Sequence, residues 1–395
     1  MLRHRARPLS WSRHWRLYLA VGALTLLVGV VAGCGGGSSS SVSETTSGSS
    51  EGEASTTAAE TGNSAIEAKL APYLEFTKKI STPGPLEKLP EGSEIEFLEC
   101  SALPCKQEGE GFKKGAALLK LKYKSLSSGF TPENFKSAVE QAVQDKPDAV
   151  LLSAIPPSYV KPQLEELKNE GVIVADWATE TPPPGLVDVF LLSPKYWESD
   201  GEAMARYVTL NRGANSNVLF VNQSVINFPN YISKGIKRAL KAECAECSFS
   251  ELDSSPEELG TKLPTAVVSE LQKNPSINSV IFAYGAMTLG FPQALKAAGI
   301  EEQVSYISQS PSKNNLEDLK SGTEEANLAS NETYFSYYVL DSVARALNGE
   351  PVPNRENMQT GWFITGEDVT FDPTKEYWEP VPNFEAQFEE AWGVK

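Results

Sequence analysis

Residues 148–177, DAVLLSAIPPSYVKPQLEELKNEGVIVADW, decide the fold. Ala149–Leu152 is a short aliphatic run, Val160–Asn169 a helical stretch, and Val172–Ala175 a second aliphatic run. A strand, a helix of about ten residues and another strand predict a right-handed crossover and a parallel sheet. The same cadence extends in both directions. Toward the N-terminus, strands are expected at Ile95–Leu98 and Leu121–Leu126, with helices at Gly111–Leu121 and Pro132–Gln144. Ile66, Leu70 and Leu74 recur at four-residue spacing and suggest a leading helix, ended by Pro83 and Pro85. Toward the C-terminus, strands are expected at Val187–Leu192, Val218–Asn222, Ser248–Leu252, Val280–Phe282 and Val304–Ile307. The helices between and after them are Gly201–Leu210, Tyr231–Ala242, Leu259–Leu271, Leu289–Ala298 and Leu316–Leu319. Two successive α/β halves of similar size follow.

Composition narrows what such a body can do. The chain has 395 residues, 35 Lys+Arg against 51 Asp+Glu, and two histidines. Both histidines, His4 and His14, lie in the first 16 residues beside five arginines, so the rest carries 30 basic groups against 51 acidic ones and no imidazole. Without His it has no Ser-His-Asp triad, no Cys-His pair and no His-ligated metal centre. The acidic balance argues against a nucleic-acid partner, because phosphate binding needs a Lys/Arg surplus. Glycines near Gly109 and Gly111 lack phosphate-cradling spacing, and no cofactor is expected. The acid pairs Glu165-Glu166, Glu257-Glu258 and Glu389-Glu390 read as solvated helix faces, not as a hydrolase dyad.

The N-terminal segment has the chemistry of an export signal. Met1–Arg16 is cationic, and Leu17–Val31 is an apolar run too short for an ordinary membrane span. Val31-Ala32-Gly33-Cys34 resembles the bacterial lipobox, which implies a lipidated Cys34 and a place on the outer face of the bacterial cytoplasmic membrane. Residues 35–63, rich in Gly, Ser, Thr and Glu, read as a flexible tether.

The blocks Asp148–Ser153, Gly171–Asp176, Ser279–Ala283 and Leu289–Gly299, in that order, resemble the ribose-type, type I periplasmic binding proteins, over about residues 90–350. The resemblance implies two doubly wound parallel-sheet lobes joined by a three-segment hinge. A small sugar-like solute would be enclosed at the carboxyl ends of the strands, and a monomeric protein would hand it to an ABC permease. The expected partition is 1–34 signal and lipobox, 35–63 tether, 64–192 plus 332–350 first lobe, and 193–331 plus 351–395 second lobe with the C-terminal tail. A sensor component of the same fold is one alternative and a surface hydrolase another.

A sugar presents flat C–H faces and a rim of hydroxyls, so aromatic and polar residues just past each strand are the candidates. In the first lobe these are Ser101, Ser153, Asp176 and Trp177; in the second, Asn222, Gln223, Phe228, Tyr231, Tyr284 and Gln309. Asn331, at a crossing, joins them by the resemblance. Where pentose-binding relatives carry an Asn-Asp pair, this chain has Tyr284-Gly285, and Gln309-Ser310 replaces a usual Asp. A more aromatic, neutral site than that for ribose is therefore expected. Besides Cys34 there are two close pairs, Cys100/Cys105 and Cys244/Cys247, for which two local disulfides are expected. An all-thiolate zinc site is the alternative that the topology disfavours.

Overall fold

A computed structural model describes residues 63–374 and 377–394; the export segment, Cys34 and nearly all of the tether lie outside the described residues. After a helical segment at 63–70 (α1), the chain runs β1 (Glu94–Glu99), α2 (Leu103–Leu118), β2 (Lys122–Ser127), α3 (Pro132–Asp145), β3 (Ala149–Ser153), α4 (Lys161–Asn169), β4 (Ile173–Trp177) and β5 (Val189–Leu191). These strands form one parallel sheet in the order β2-β1-β3-β4-β5. The second half runs α5 (Pro194–Arg212), β6 (Asn217–Asn222), α6 (Asn227–Glu243), β7 (Ser248–Asp253), α7 (Leu263–Lys273), β8 (Ser279–Phe282), α8 (Phe291–Ala298), β9 (Ser305–Gln309), α9 (Lys313–Ser321) and β10 (Ala326–Ala329). α10 (Glu332–Asn348), β11 (Trp362–Ile364) and α11 (Phe384–Trp392) complete the chain. The second sheet has the order β11-β10-β9-β8-β6-β7, with β11 antiparallel.

The pleat of the first sheet separates two cores. Ile95 and Phe97 of β1 with Ala149 and Leu151 of β3 face Phe112 and Ala116 of α2. Their neighbours Leu98, Val150 and Leu152 face Phe135 and Val139 of α3 and Leu164 of α4. Glycines set the spacing where helices meet. A Cβ on Gly111 would lie 2.8 Å from Ser336 Oγ of α10, and one on Gly115 would overlap Leu340 Cδ1. Gly201 of α5 and Gly235 of α6 each face backbone of the other helix, Ile232 O and Glu198 O respectively, with no room for a side chain.

Caps fix the three crossings between sheets. Ser193 Oγ accepts from Tyr196 N at the start of α5, Asn331 Oδ1 accepts from Tyr334 N at the start of α10, and Gly349 closes α10 in a left-handed conformation. The chain passes from one sheet to the other at 192–193 and 330–331, and returns between α10 and β11.

The two chain ends differ from expectation. The expected partition puts the tail with the second lobe, and β11 does extend that sheet. α11, however, places Phe384, Phe388 and Trp392, spaced by four, against Tyr334, Tyr337 and Tyr338 of α10, which packs on α2 of the first lobe. Trp392 Nε1 also donates to Asp341 Oδ1 at 3.1 Å. At the other end, Lys69 pairs with Glu243 of α6 at 2.8 Å, whereas Ser81 N donates to Tyr338 OH and Leu86 N to Ala391 O. Residues 63–90 therefore bind both halves of the body. Among the described residues no helix is long and apolar enough to cross a membrane.

Candidate functional site

The carboxyl ends of β1, β3 and β4 converge on a buried acid that the sequence reading missed. α2 begins at Leu103, a full two turns earlier than expected, with Pro104 in its first turn. Glu108 then lies inside the first lobe: Ser153 Oγ donates to its Oε2 at 2.7 Å and Trp177 Nε1 to its Oε1 at 2.9 Å. Burial raises the Glu108 carboxyl well above the ordinary range, and the neighbouring charge of Glu332 adds to that. The Cys100–Cys105 disulfide joins the end of β1 to α2, and Cys105 Sγ is 3.4 Å from Ser153 Oγ. The second disulfide, Cys244–Cys247, closes the turn between α6 and β7.

This packing fixes the surroundings of several candidates. Trp177 is 1 % exposed, its ring set among Phe97, Phe112 and Phe335, so it serves the lobe core and Glu108 rather than a solute face. Asp176 points to the opposite side of β4, as adjacent strand residues must; its Oδ2 accepts from Thr179 at 2.6 Å while Oδ1, also buried, has no partner. Burial pushes its carboxyl well up. Asn222 is committed to Asn230 and Glu251, and Asn331 to the α10 cap and Trp378 O. Ser101 is exposed on the turn after Cys100.

The second lobe presents aromatic rings. Tyr196 and Trp197 of α5 meet edge to face with centroids 4.9 Å apart, Phe228 lies 4.7 Å from Trp197, and Tyr284 is 6.1 Å beyond Phe228. Tyr284 OH donates to Gln223 Oε1 at 2.6 Å, leaving Gln223 Nε2 buried and unpaired. Tyr231 is half-buried under Lys234, and burial followed by the charges of Glu180 and Glu198 raises its hydroxyl. Because Glu180 follows β4, Tyr231 senses the first lobe across the cleft.

Where the three crossings meet, a cavity of about 20 Å³ is lined by Trp197 and Asp200 of α5, Gln309 at the end of β9, Ser330, and Glu332 and Phe335 of α10. Three buried atoms of this wall have no partner within the protein: Trp197 Nε1, Asp200 Oδ1 and Gln309 Nε2. Burial pushes the Asp200 carboxyl up to about 7, the Tyr196 and Tyr73 hydroxyls offsetting part of the effect. Glu332 is likewise raised by burial, against hydrogen bonds from Ser330 and Ser310. A cavity of this size holds roughly one water molecule. Trp197 and Asp200 were missed because the helix was expected to begin at Gly201; Pro194 after Ser193 was the available signal.

Residues 105–351 match the family model described as a periplasmic binding protein domain. The chain belongs to that family. Solved structures agree on the fold of this periplasmic binding protein. An ABC transporter solute-binding protein from Agrobacterium vitis with bound allitol superposes with a TM-score of 0.62 at 17% identity, covering 71% of this chain and 97% of that one. The 5-methylthioribose transporter solute-binding protein from Thermotoga lettingae, in complex with 5-methylthioribose, gives 0.65 at 13% identity, covering 78% and 99%. A solute-binding protein from Actinobacillus succinogenes with bound D-allose gives 0.61 at 15% identity, covering 70% and 99%. The search of curated proteins returned no match.

Proposed function

We propose that this binding protein captures a sugar or sugar-like solute between its lobes and delivers it to an ABC permease, held by a lipid on Cys34 at the outer face of a bacterial cytoplasmic membrane. The observation that carries the reading is the wall at the crossings, where unpaired donors on Trp197 and Gln309 and an unpaired acceptor on Asp200 sit beside the aromatic row ending at Tyr284. Buried polar atoms without partners are costly, and a polyhydroxylated solute satisfies donors and acceptors together while its apolar faces cover the rings. The sugars and polyol bound to the solved neighbours support the same class. Asp176, Tyr231, Tyr284 and Gln309 stay as contacts, joined by Trp197, Asp200 and Glu332. Lobe closure about the three crossings supplies the second wall.

A thermal-shift screen of the exported body against sugars, polyols, nucleosides and aromatic solutes tests it. A ligand at a hundredfold excess over its Kd stabilises the folded state by about 2.7 kcal/mol. No stabilisation by any small solute would overturn the reading.

A further inference from the structure

Apart from the Tyr196 phenol, the ionisable side chains that line the cavity at the crossings are carboxyl acids, Asp200 from the second lobe and Glu332 from the first turn of α10, and no Lys or Arg is among the lining residues. Glu108 stands directly behind Glu332: Ser336 Oγ lies 3.0 Å from the Glu108 carbonyl and 2.7 Å from that of Glu332. Arg206, on the helix that carries Asp200, is already held by Glu202 and Glu243. Asp200 Oδ1 is unpaired and the residue is 2 % exposed, so a residue that lines the cavity carries a buried acceptor with no partner in the protein. Among the described residues no three acid, Cys or His groups cluster as for a metal ion. The cavity volume of about 20 Å³ matches an ammonium group, which is close to water in size.

We propose that the solute is a hydroxylated primary amine, an amino sugar in its cationic form, whose ammonium enters the cavity against Asp200 and Glu332 while its ring oxygens and hydroxyls accept from Trp197 and Gln309. The inference rests on the solute-binding reading above and specifies its solute. An anionic solute would add like charge to an acidic wall, whereas an ammonium supplies the counter-charge that lets these desolvated carboxyls ionise. Glu332 faces Ser310, Ser330 and Glu108, and Asp200 faces Tyr73, Tyr196 and their neighbour Thr360. None of these is a cation. Because burial alone holds both carboxyls above the ordinary range, an arriving ammonium favours their ionised forms and expels protons.

Titration calorimetry on the full chain at pH 7 decides it, with D-glucosamine, D-galactosamine and D-mannosamine set against the parent hexoses and the N-acetyl derivatives. At least one free amine is expected to bind tenfold or more tighter than both of its neutral counterparts. Runs in two buffers of different ionisation enthalpy are expected to show proton release. In Asp200→Asn and Glu332→Gln the amine preference falls below threefold; should either variant fail to fold, the wild-type preference and proton count decide alone. Equal or tighter binding of a neutral hexose overturns the amine assignment and leaves solute capture standing. Failure of every amine to bind overturns the assignment too, whereas capture itself fails only if the wider thermal-shift screen also finds no ligand.

Discussion

Trp177 Nε1 donates to Glu108 Oε1 at 2.9 Å, tying the end of β4 to the second turn of α2 inside the first lobe. The bond couples the hydrophobic core to the acid beneath the cleft. Trp177→Phe keeps the ring among Phe97, Phe112 and Phe335 but leaves a carboxyl oxygen without its donor. A loss of about 1–3 kcal/mol is expected, read as a lower urea midpoint with unchanged slope. Trp177→Ala should cost more, about 3–5 kcal/mol, because it also opens a cavity.

Stability should fall as pH rises through the neutral range. Burial pushes Asp200 and Glu324 up to about 7 from ordinary values of 3.8 and 4.5, the latter despite donors on Ser308, Asn315 and Asn327. Between those limits the folded state keeps protons that the unfolded chain has released. Their contribution is therefore complete below the unfolded values and is lost as pH rises through the folded ones. Each group adds a slope of up to about 1.4 kcal/mol per pH unit. Melting temperatures recorded from pH 5 to 8 should decline, and Asp200→Asn should flatten part of that decline.

Gly235→Ala should destabilise the second lobe. Its Cβ would overlap the backbone of Glu198, and α5 and α6 can accommodate it only by moving apart. Overpacking of this kind costs about 1–3 kcal/mol or more, since no flexible side chain can yield. A melting temperature equal to that of the parent chain would contradict the close crossing.

Free-thiol titration of the oxidised, denatured protein should find none among Cys100, Cys105, Cys244 and Cys247. Loop-closure entropy for so short a loop is worth about 2 kcal/mol. Replacing Cys100 and Cys105 with Ser should cost that much in stability and, because the bridge anchors the first turn of α2, the helix that carries Glu108, weaken solute binding as well. An unchanged solute affinity would separate the loop from the site.

Truncating the chain before Phe384 should destabilise the first lobe, because Phe384, Phe388 and Trp392 cover α10. A loss of several kcal/mol is expected from burying three aromatic side chains at about 1.5–3 kcal/mol each. A truncated chain with the parent melting temperature would show that α11 contributes nothing.

The regular elements were legible because local pattern controls them. The aliphatic runs around Val150 and Val174 are strands because a parallel sheet covered by helices on both faces needs near-continuous apolar sequence. β10 was missed because Ala326-Asn327-Leu328-Ala329 is short and carries a polar residue; Asn327 is buried there only because Ser308 and Glu324 meet its side chain. α11 was legible in principle from the spacing of Phe384, Phe388 and Trp392.

The site was less legible, for a physical reason. Candidates can be sought past each strand, but position along the chain does not say which way a side chain turns or what it meets. Asp176 and Trp177 are neighbours in sequence, yet the pleat sends them to opposite faces, and one of them is consumed by Glu108, 69 residues away. Composition and periodicity alone determined an acidic α/β body without imidazole in two halves. Only the tertiary structure decided that Asp200 and Glu332, from helices far apart in the chain, line one cavity at the crossings, with Glu108 close enough for its charge to interact with that of Glu332. Charge pairing and desolvation depend on distance in space, which no local pattern encodes.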